Sequence, residues 1–290
     1  MNVLLTGAGG QVGRAFRAVA PAQASVTALT HAELDITNAE QVRLAVAAHA
    51  PQWIVNAAAY TGVDAAENAR DAAYALNATA VGYLAKAAQS ADARLLHLST
   101  DFVFDGHASS PYEPDALTAP IGAYGATKLA GEHQALANGA PSIVVRTSWV
   151  YAAYGQNFVL TMLRLMAARP ELRVVCDQIG SPTWATGLAQ VLWQMLSVSA
   201  APGIYHWCDA GVASWYDFAV AIQEEALQRR LLARAIPVLP IRSAQYPTPA
   251  RRPVYSVLES AQTRALTGAP ATHWRAQLRK MLDELVAIAK

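Results

Sequence analysis

Tyr124 and Lys128 stand four positions apart in Tyr124-Gly125-Ala126-Thr127-Lys128, and Ser99-Thr100-Asp101 lies upstream of them. On a helix, residues i and i+4 share a face with Cβ atoms about 5–6 Å apart, so an ammonium can approach a phenol. A free tyrosine has a pKa of about 10 and is a poor acid near neutrality. A neighbouring cation favours phenolate, and a shift of about three units corresponds to roughly 4 kcal/mol. A lysine ammonium and a nicotinamide cation together could supply that. Taken alone, Tyr124 also reads as a half-buried helix aromatic and Lys128 as a solvated cation. The elements that position the pair decide between these readings.

The first such element is the amino terminus. Met1–Thr6 is an apolar, strand-forming run that leads into Gly7-Ala8-Gly9-Gly10-Gln11-Val12-Gly13, and a helix is expected from Gln11 to about Ala20, before Pro21. Glycines allow a tight turn, close approach of a pyrophosphate and close helix-on-strand packing. The helix start then offers N–H groups to phosphate. Strand, glycine turn and helix in that order are the context a dinucleotide fingerprint requires.

Strands are expected at Ser25–Leu29, Trp53–Asn56, Arg94–Ser99 and Ser142–Arg146, alternating with helices at Asn38–Ala50 and Ala72–Ala91 and the one carrying Tyr124 and Lys128. Such alternation argues for a parallel sheet covered on both faces. Ligands of open parallel sheets bind beyond the carboxyl ends of the strands. Gly7, Ala57–Thr61, Ser99–Asp101 and Thr147–Trp149 all follow strand ends and should line one crevice. After residue 150 the alternation breaks: helices are expected at 158–167, 186–196, 215–231 and 274–289, strands at 173–176 and 205–208, and a proline-rich stretch at 237–253. The expected fold is α/β, a Rossmann-type doubly wound parallel sheet with a smaller, discontinuous α/β substrate domain. Residues 1–150 would form the dinucleotide-binding domain, with 173–205 returning to it, and 151–172 and 206–290 mainly the substrate domain.

The 290 residues suffice for a sizeable core. A formal net charge of +1 gives no reason to expect a nucleic-acid surface or a polybasic membrane anchor. Cys176 and Cys208 are too few and too isolated for a disulfide framework or a metal site. With no signal-peptide pattern and no apolar run of membrane-spanning length, the expectation is a soluble cytoplasmic protein.

The chain resembles the extended short-chain dehydrogenase/reductase superfamily and, within it, the dTDP-4-dehydrorhamnose reductase family. The resemblance runs through Gly7–Gly13, Val55–Asp64, Ser99–Gly106, Tyr124–Lys128 with Gly131-Glu132, and Arg146–Tyr151. It continues through Asn157-Phe158, Thr161–Arg164, Asp177–Thr183, Tyr246–Pro249 and Arg252-Pro253. The glycine pattern and the Tyr/Lys pair specify the superfamily; Arg146–Tyr151 and Asp177–Thr183 narrow it. The resemblance implies that Gly7, Gly10, Gln11, Val12 and Gly13 meet the cofactor pyrophosphate, and that Asp35 and Ile36 lie near its adenosine. Ala59, Tyr60 and Thr61 would run along the cofactor. Thr100 and Asp101 would face a dTDP-sugar, with Thr100 bonding its carbonyl oxygen and Trp149 packing on it. Tyr124 would donate the proton, and Lys128 would hold the nicotinamide ribose and lower the tyrosine pKa. Arg252 is a reasonable partner for the diphosphate, because a guanidinium matches its oxygens in a forked geometry; it reads equally as half of a surface ion pair.

Two positions depart from the family pattern. Phe102 stands where tyrosine is common, and Arg14-Ala15-Phe16 lacks the carboxylate through which some members form a magnesium-bridged dimer. No metal is therefore expected, and a monomer or a homodimer stays open. The second strand ends Ala28-Leu29-Thr30-His31, without the acid that usually takes a ribose 2′-OH. Arg14 or His31 could meet a 2′-phosphate, so the expected cofactor is NADPH, with NADH left open. Among rival readings, a dehydratase commonly pairs Asp with Glu where this chain has Asp101-Phe102, and a non-catalytic regulatory subunit would have lost the Tyr/Lys pair. Another nucleotide-sugar 4-ketoreductase or an epimerase of the superfamily is the nearest alternative.

Overall fold

The apolar run at the amino terminus forms β1 (Asn2–Thr6), with Val3, Leu4 and Leu5 fully buried. The computed structural model describes residues 1–288; Ala289, the expected last residue of the final helix, and Lys290 lie outside the described residues. The glycine turn leads into α1 (Gln11–Ala18), followed by β2 (Ser25–Leu29), α2 (Ala39–His49) and β3 (Trp53–Asn56). Helix α2 begins where the Asn38 side chain accepts hydrogen bonds from the N–H groups of Glu40 and Gln41, satisfying donors that a helix start otherwise leaves unpaired.

The next helical stretch starts earlier than its composition suggests and is interrupted. It divides into α3 (Val63–Asn68), α4 (Arg70–Tyr74), a π-turn at Ala75–Thr79 and α5 (Ala80–Ser90). Such wide turns recur at functional positions, and this one contains the buried Asn77. Then come β4 (Arg94–Thr100), α6 (Ala123–Ala137) and β5 (Ser142–Thr147). Helix α6 ends at Asn138, and Gly139 follows at φ +79°.

The remaining elements are β6 (Val150–Tyr151), α7 (Phe158–Ala168), β7 (Leu172–Val175), β8 (Ile179–Gly180) and β9 (Thr183–Trp184). They are followed by α8 (Ala185–Ser197), β10 (Gly203–His206), β11 (Ala213–Ser214) and α9 (Trp215–Gln228). The chain closes with β12 (Val238–Ile241), α10 (Ala261–Thr267) and α11 (Trp274–Ile288).

Six strands form one sheet in the order β10-β5-β4-β3-β1-β2, every pair parallel. Such strands are buried on both faces, which explains their near-continuous apolar sequence. Helices α1 and α8 cover one face, where Phe16 stacks on Trp193 at 4.3 Å and Trp193 Nε1 donates to the Phe16 carbonyl at 2.8 Å. Burying a side chain such as Phe16 contributes about 2–3 kcal/mol. Helices α2, α5 and α6 cover the other face.

The chain leaves the sheet after β5 and rejoins it with α8 and β10. Within the stretch 173–205, β7 instead pairs with β12, beside a second hydrophobic cluster of Tyr151, Phe218, Trp274, Leu278 and their neighbours. Helix α10 packs on α8 and β10. Strand order reverses between β1 and β3, the kind of position where open α/β sheets bind ligands.

Candidate active site

At that reversal the glycine turn is pressed against the chain leaving β3. A Cβ on Gly7, which has φ +70°, would lie 2.5 Å from the Ala58 nitrogen, and one on Gly13 would lie 2.2 Å from the Gly7 carbonyl oxygen. A side chain at Gly7 would force the two segments apart, and one at Gly13 would push α1 off the turn. Gly10 is the N-cap of α1 and supplies no side-chain cap, while Gly9 and Gly10 are exposed. The helix start at Gln11, Val12 and Gly13 therefore has the form of an anion cradle, and the residues present fit a dinucleotide pyrophosphate.

The loop after β3 is held from behind by Asn77. Its Oδ1 accepts the Tyr60 N–H at 2.8 Å, and its Nδ2 donates to the Tyr60 carbonyl at 3.1 Å and to Thr127 Oγ1 at 3.1 Å. Ala59, Tyr60 and Thr61 are thereby tied to α6. Tyr60 and Tyr124 pack on one small cluster, Ala66, Ala73 and Ala123. The start of α6 lacks a cap of its own; Glu67 Oε1 on α3 accepts the Ala123 N–H at 2.7 Å instead.

Thr100 and Asp101 leave β4 in a buried turn. Thr100 Oγ1 donates to Asp101 Oδ1 at 3.0 Å and accepts the Phe102 N–H at 3.2 Å. Burial pushes the Asp101 carboxyl up to about 6, against the pull of the Ser256 and Thr100 hydroxyls. Burial also pushes the Tyr124 phenol up to about 12, opposed by the nearby Thr100 hydroxyl and reinforced by the Asp101 charge. The phenol therefore holds its proton across the neutral range. The Phe102 ring meets it edge-on at 5.6 Å.

The expected approach of the Lys128 ammonium to the phenol is not what the structure shows. Lys128 is buried, and Nζ donates to the Leu98 carbonyl at 2.6 Å and lies 3.4 Å from His97 Nε2. Burial draws its pKa down to about 8, with Glu132 pulling the other way. Beneath it, Glu132 pairs with the buried Arg146 at 2.7 Å and accepts from Ser99 Oγ at 2.5 Å.

Trp149 is held at φ +47°, unusual for a bulky residue. Its indole stacks on Trp215 at 3.5 Å, and a Cβ on Gly180 would lie 2.6 Å from it. Several expected positions have other partners. Ile36 turns its side chain into the core, and Asp35 accepts from the N–H and hydroxyl of Thr37, which lower its pKa. Arg14 lies 3.9 Å over the Tyr154 ring rather than at the end of β2, where Glu33 accepts from the N–H and hydroxyl of Thr30. Arg252 pairs with Asp64 at 2.8 Å.

Sequence reasoning missed Asn56, Asn77, His97, Glu67 and Trp215 as members of this region. Only Asn56 carried a signal, a polar residue ending a buried strand. Among the described residues no group of three or more His, Cys, Asp or Glu side chains is placed to hold a metal ion, and no helix is long and apolar enough to cross a membrane.

Comparison with known proteins adds to this geometry. The family model described as RmlD substrate binding domain matches residues 1–287. The chain is 41% identical to a dTDP-4-dehydrorhamnose reductase of Aggregatibacter actinomycetemcomitans, over 97% of this chain and 98% of that one. It is also 41% identical to a probable dTDP-4,6-dihydroxy-2-methyloxan-3-one 4-ketoreductase of Streptomyces antibioticus, over 99% and 96% of the two chains. Its fold matches a Bacillus anthracis dTDP-4-dehydrorhamnose reductase crystallised with NADP, with TM-score 0.92 and 36% identity over 98% of this chain and 99% of that chain.

Proposed function

The chain belongs to the family of the RmlD substrate binding domain, and from that premise we propose that it is an NADPH-dependent reductase of a dTDP-sugar ketone. The reaction converts the C4 ketone of dTDP-4-dehydro-6-deoxy-L-mannose to the alcohol of dTDP-L-rhamnose, a precursor of surface polysaccharide. NADPH supplies the hydride, and NADH fits the same cradle. The observation that carries the reading is the line Asp101–Thr100–Tyr124, whose first two members are buried and which ends in a half-buried phenol that keeps its proton.

Gly7, Gly10, Gln11, Val12 and Gly13 hold the pyrophosphate, with Asp35, the Ile36 backbone, Ala59, Tyr60 and Thr61 along the cofactor. Tyr124 gives its proton to the carbonyl oxygen of the sugar as charge builds there. Thr100 steadies that oxygen by turning its hydroxyl proton away from Asp101, a donor already placed in a water-poor pocket. Lys128 holds the nicotinamide ribose, and Trp149, braced by Trp215, covers the sugar beside Asp101. Arg252 reaches the diphosphate by leaving Asp64. Residues 1–150, rejoined by α8 and β10, serve as the cofactor-binding part, and 151–172 and 206–288 serve mainly as the substrate part. Two free cysteines, Cys176 and Cys208, suit a reducing cytoplasm, where we place the protein as a monomer or homodimer.

The test is NADPH oxidation with the 4-keto sugar nucleotide made by coupled enzymes. Tyr124→Phe should lower kcat by about 10²–10⁴-fold while NADPH binding persists; wild-type turnover in that variant would refute the assignment. A second reading keeps the chemistry and changes the sugar, as the Streptomyces antibioticus relative favours. Comparing kcat/KM across dTDP-4-keto sugars separates the two.

A further inference from the structure

We propose that His97 is a positioning residue that sets the protonation state of Lys128, through a tautomer imposed on it by Asn56 and Thr6. This rests on Lys128 belonging to the active site described above.

A backbone N–H can only donate. The Ala58 N–H lies 3.1 Å from Asn56 Oδ1, so that atom is the amide oxygen, and the Thr6 hydroxyl donates to it at 2.7 Å. Asn56 Nδ2 therefore faces His97 Nδ1 as a donor at 3.0 Å. Nδ1 must keep its lone pair, which leaves the ring's proton on Nε2. That N–H points to Lys128 Nζ at 3.4 Å.

Against an ammonium, donor meets donor. Against an amine, the Nε2 proton meets a lone pair. The imidazole thus favours the neutral lysine. His97 cannot escape by becoming a cation, because a proton on Nδ1 would oppose the Asn56 amide, and burial disfavours the charge as well. The chain Thr6–Asn56–His97 crosses the sheet in register from β1 through β3 to β4, and all three residues are buried.

Other groups around Lys128 act in known directions. The Leu98 carbonyl and Glu132, one turn along α6, favour the ammonium, and Glu132 is itself paired with Arg146 on β5. Tyr124 lies one turn back on α6, Asp101 follows β4, and Glu67 on α3 sits at the start of α6. Arg70 and Asp71 on α4, Lys86 on α5 and His133 on α6 are exposed. His97 is thus the polar side chain in contact with Nζ that opposes its charge. The consequence is a lysine that can accept and release a proton near neutrality, where proton transfer to or from the active site is most efficient.

His97→Asn tests this, because its amide oxygen can still accept from Asn56 while the donor at the Nε2 position, which faces Nζ, is removed. Lys128 would be followed by NMR of the free protein labelled in lysine side chains, assigned by difference from Lys128→Met. The expected result is an upward movement of its titration midpoint by roughly one unit or more, from about 8 toward 10.5. The alkaline limb of the kcat profile should move in the same sense. If His97→Asn fails to fold, ¹⁵N NMR of the wild-type imidazole reads the tautomer directly. The Nε2–H form supports the proposal; the Nδ1–H form, or an unmoved lysine midpoint, overturns it. An unmoved midpoint with an inactive Tyr124→Phe would remove this proposal alone. A moved midpoint with a fully active Tyr124→Phe would remove the catalytic reading and leave this one standing.

Discussion

Asp209→Asn should stabilise the protein at alkaline pH and leave its stability at acid pH nearly unchanged. Asp209 follows β10 and is 2% exposed, with Oδ2 accepting the Trp184 N–H at 2.9 Å. Burial pushes its carboxyl up to about 7, against the pull of that N–H, the Gln277 amide and the Lys280 charge. A carboxyl raised in the folded state binds its proton more tightly there than in the unfolded chain. Stability is therefore undiminished below the unfolded value of 3.8, falls as pH rises to about 7, and stays low above that. The interval is about three units, or roughly 4 kcal/mol at most, and local relaxation around an ionised carboxylate reduces it to about 2 kcal/mol. Asparagine keeps an oxygen for the Trp184 N–H and cannot ionise. Urea unfolding of both proteins, at about pH 8.5 and about pH 4, reads the difference. A gain that is the same at both values, or a loss at the alkaline one, would show that Asp209 does not carry a buried charge.

Two further substitutions probe the scaffold around the reacting groups. Glu132→Gln leaves the Arg146 guanidinium buried without its counter-charge and should cost about 3–5 kcal/mol, read as a fall in thermal midpoint. An unchanged midpoint would mean that Pro114 and His206, which Arg146 also reaches, suffice to hold it. Gly180→Ala sets a methyl against the Trp149 indole and should raise KM for the sugar nucleotide while NADPH affinity holds. Equal loss of both affinities would place the disturbance in the fold rather than in the substrate wall.

Local signals were the most readable. The glycine turn and the helix it opens are set by residues within a few positions, so spacing and residue type revealed them. Pairings between distant segments were not readable. Nothing in Leu172–Val175 says that its partner is Val238–Ile241. Arg252 carries a charge suited to a diphosphate, but its engagement by Asp64 depends on two segments brought together only by folding. Arg14 carries a charge suited to a 2′-phosphate, whereas the direction in which α1 turns it, toward Tyr154, follows from tertiary packing. His97 sits in an apolar strand and reads as a core residue; its significance lies in the donors and acceptors on neighbouring strands.

The Arg252–Asp64 contact makes the join between the proline-rich stretch and α3 sensitive to dissolved salt. Its side chains are 23% and 40% exposed, so the attraction between them is one that mobile ions reach and screen, over about 8 Å at physiological ionic strength and about 3 Å at 1 M. Arg252 also bonds Thr248 Oγ1 at 2.6 Å and the Ala250 carbonyl at 3.1 Å, within its own segment. Those short-range bonds run to neutral acceptors and are far less affected. As the medium becomes more concentrated, the segment keeps its shape while its charge-based hold on α3 weakens. The segment thus has a charge-based attachment governed by the solvent and a shape governed by its own sequence.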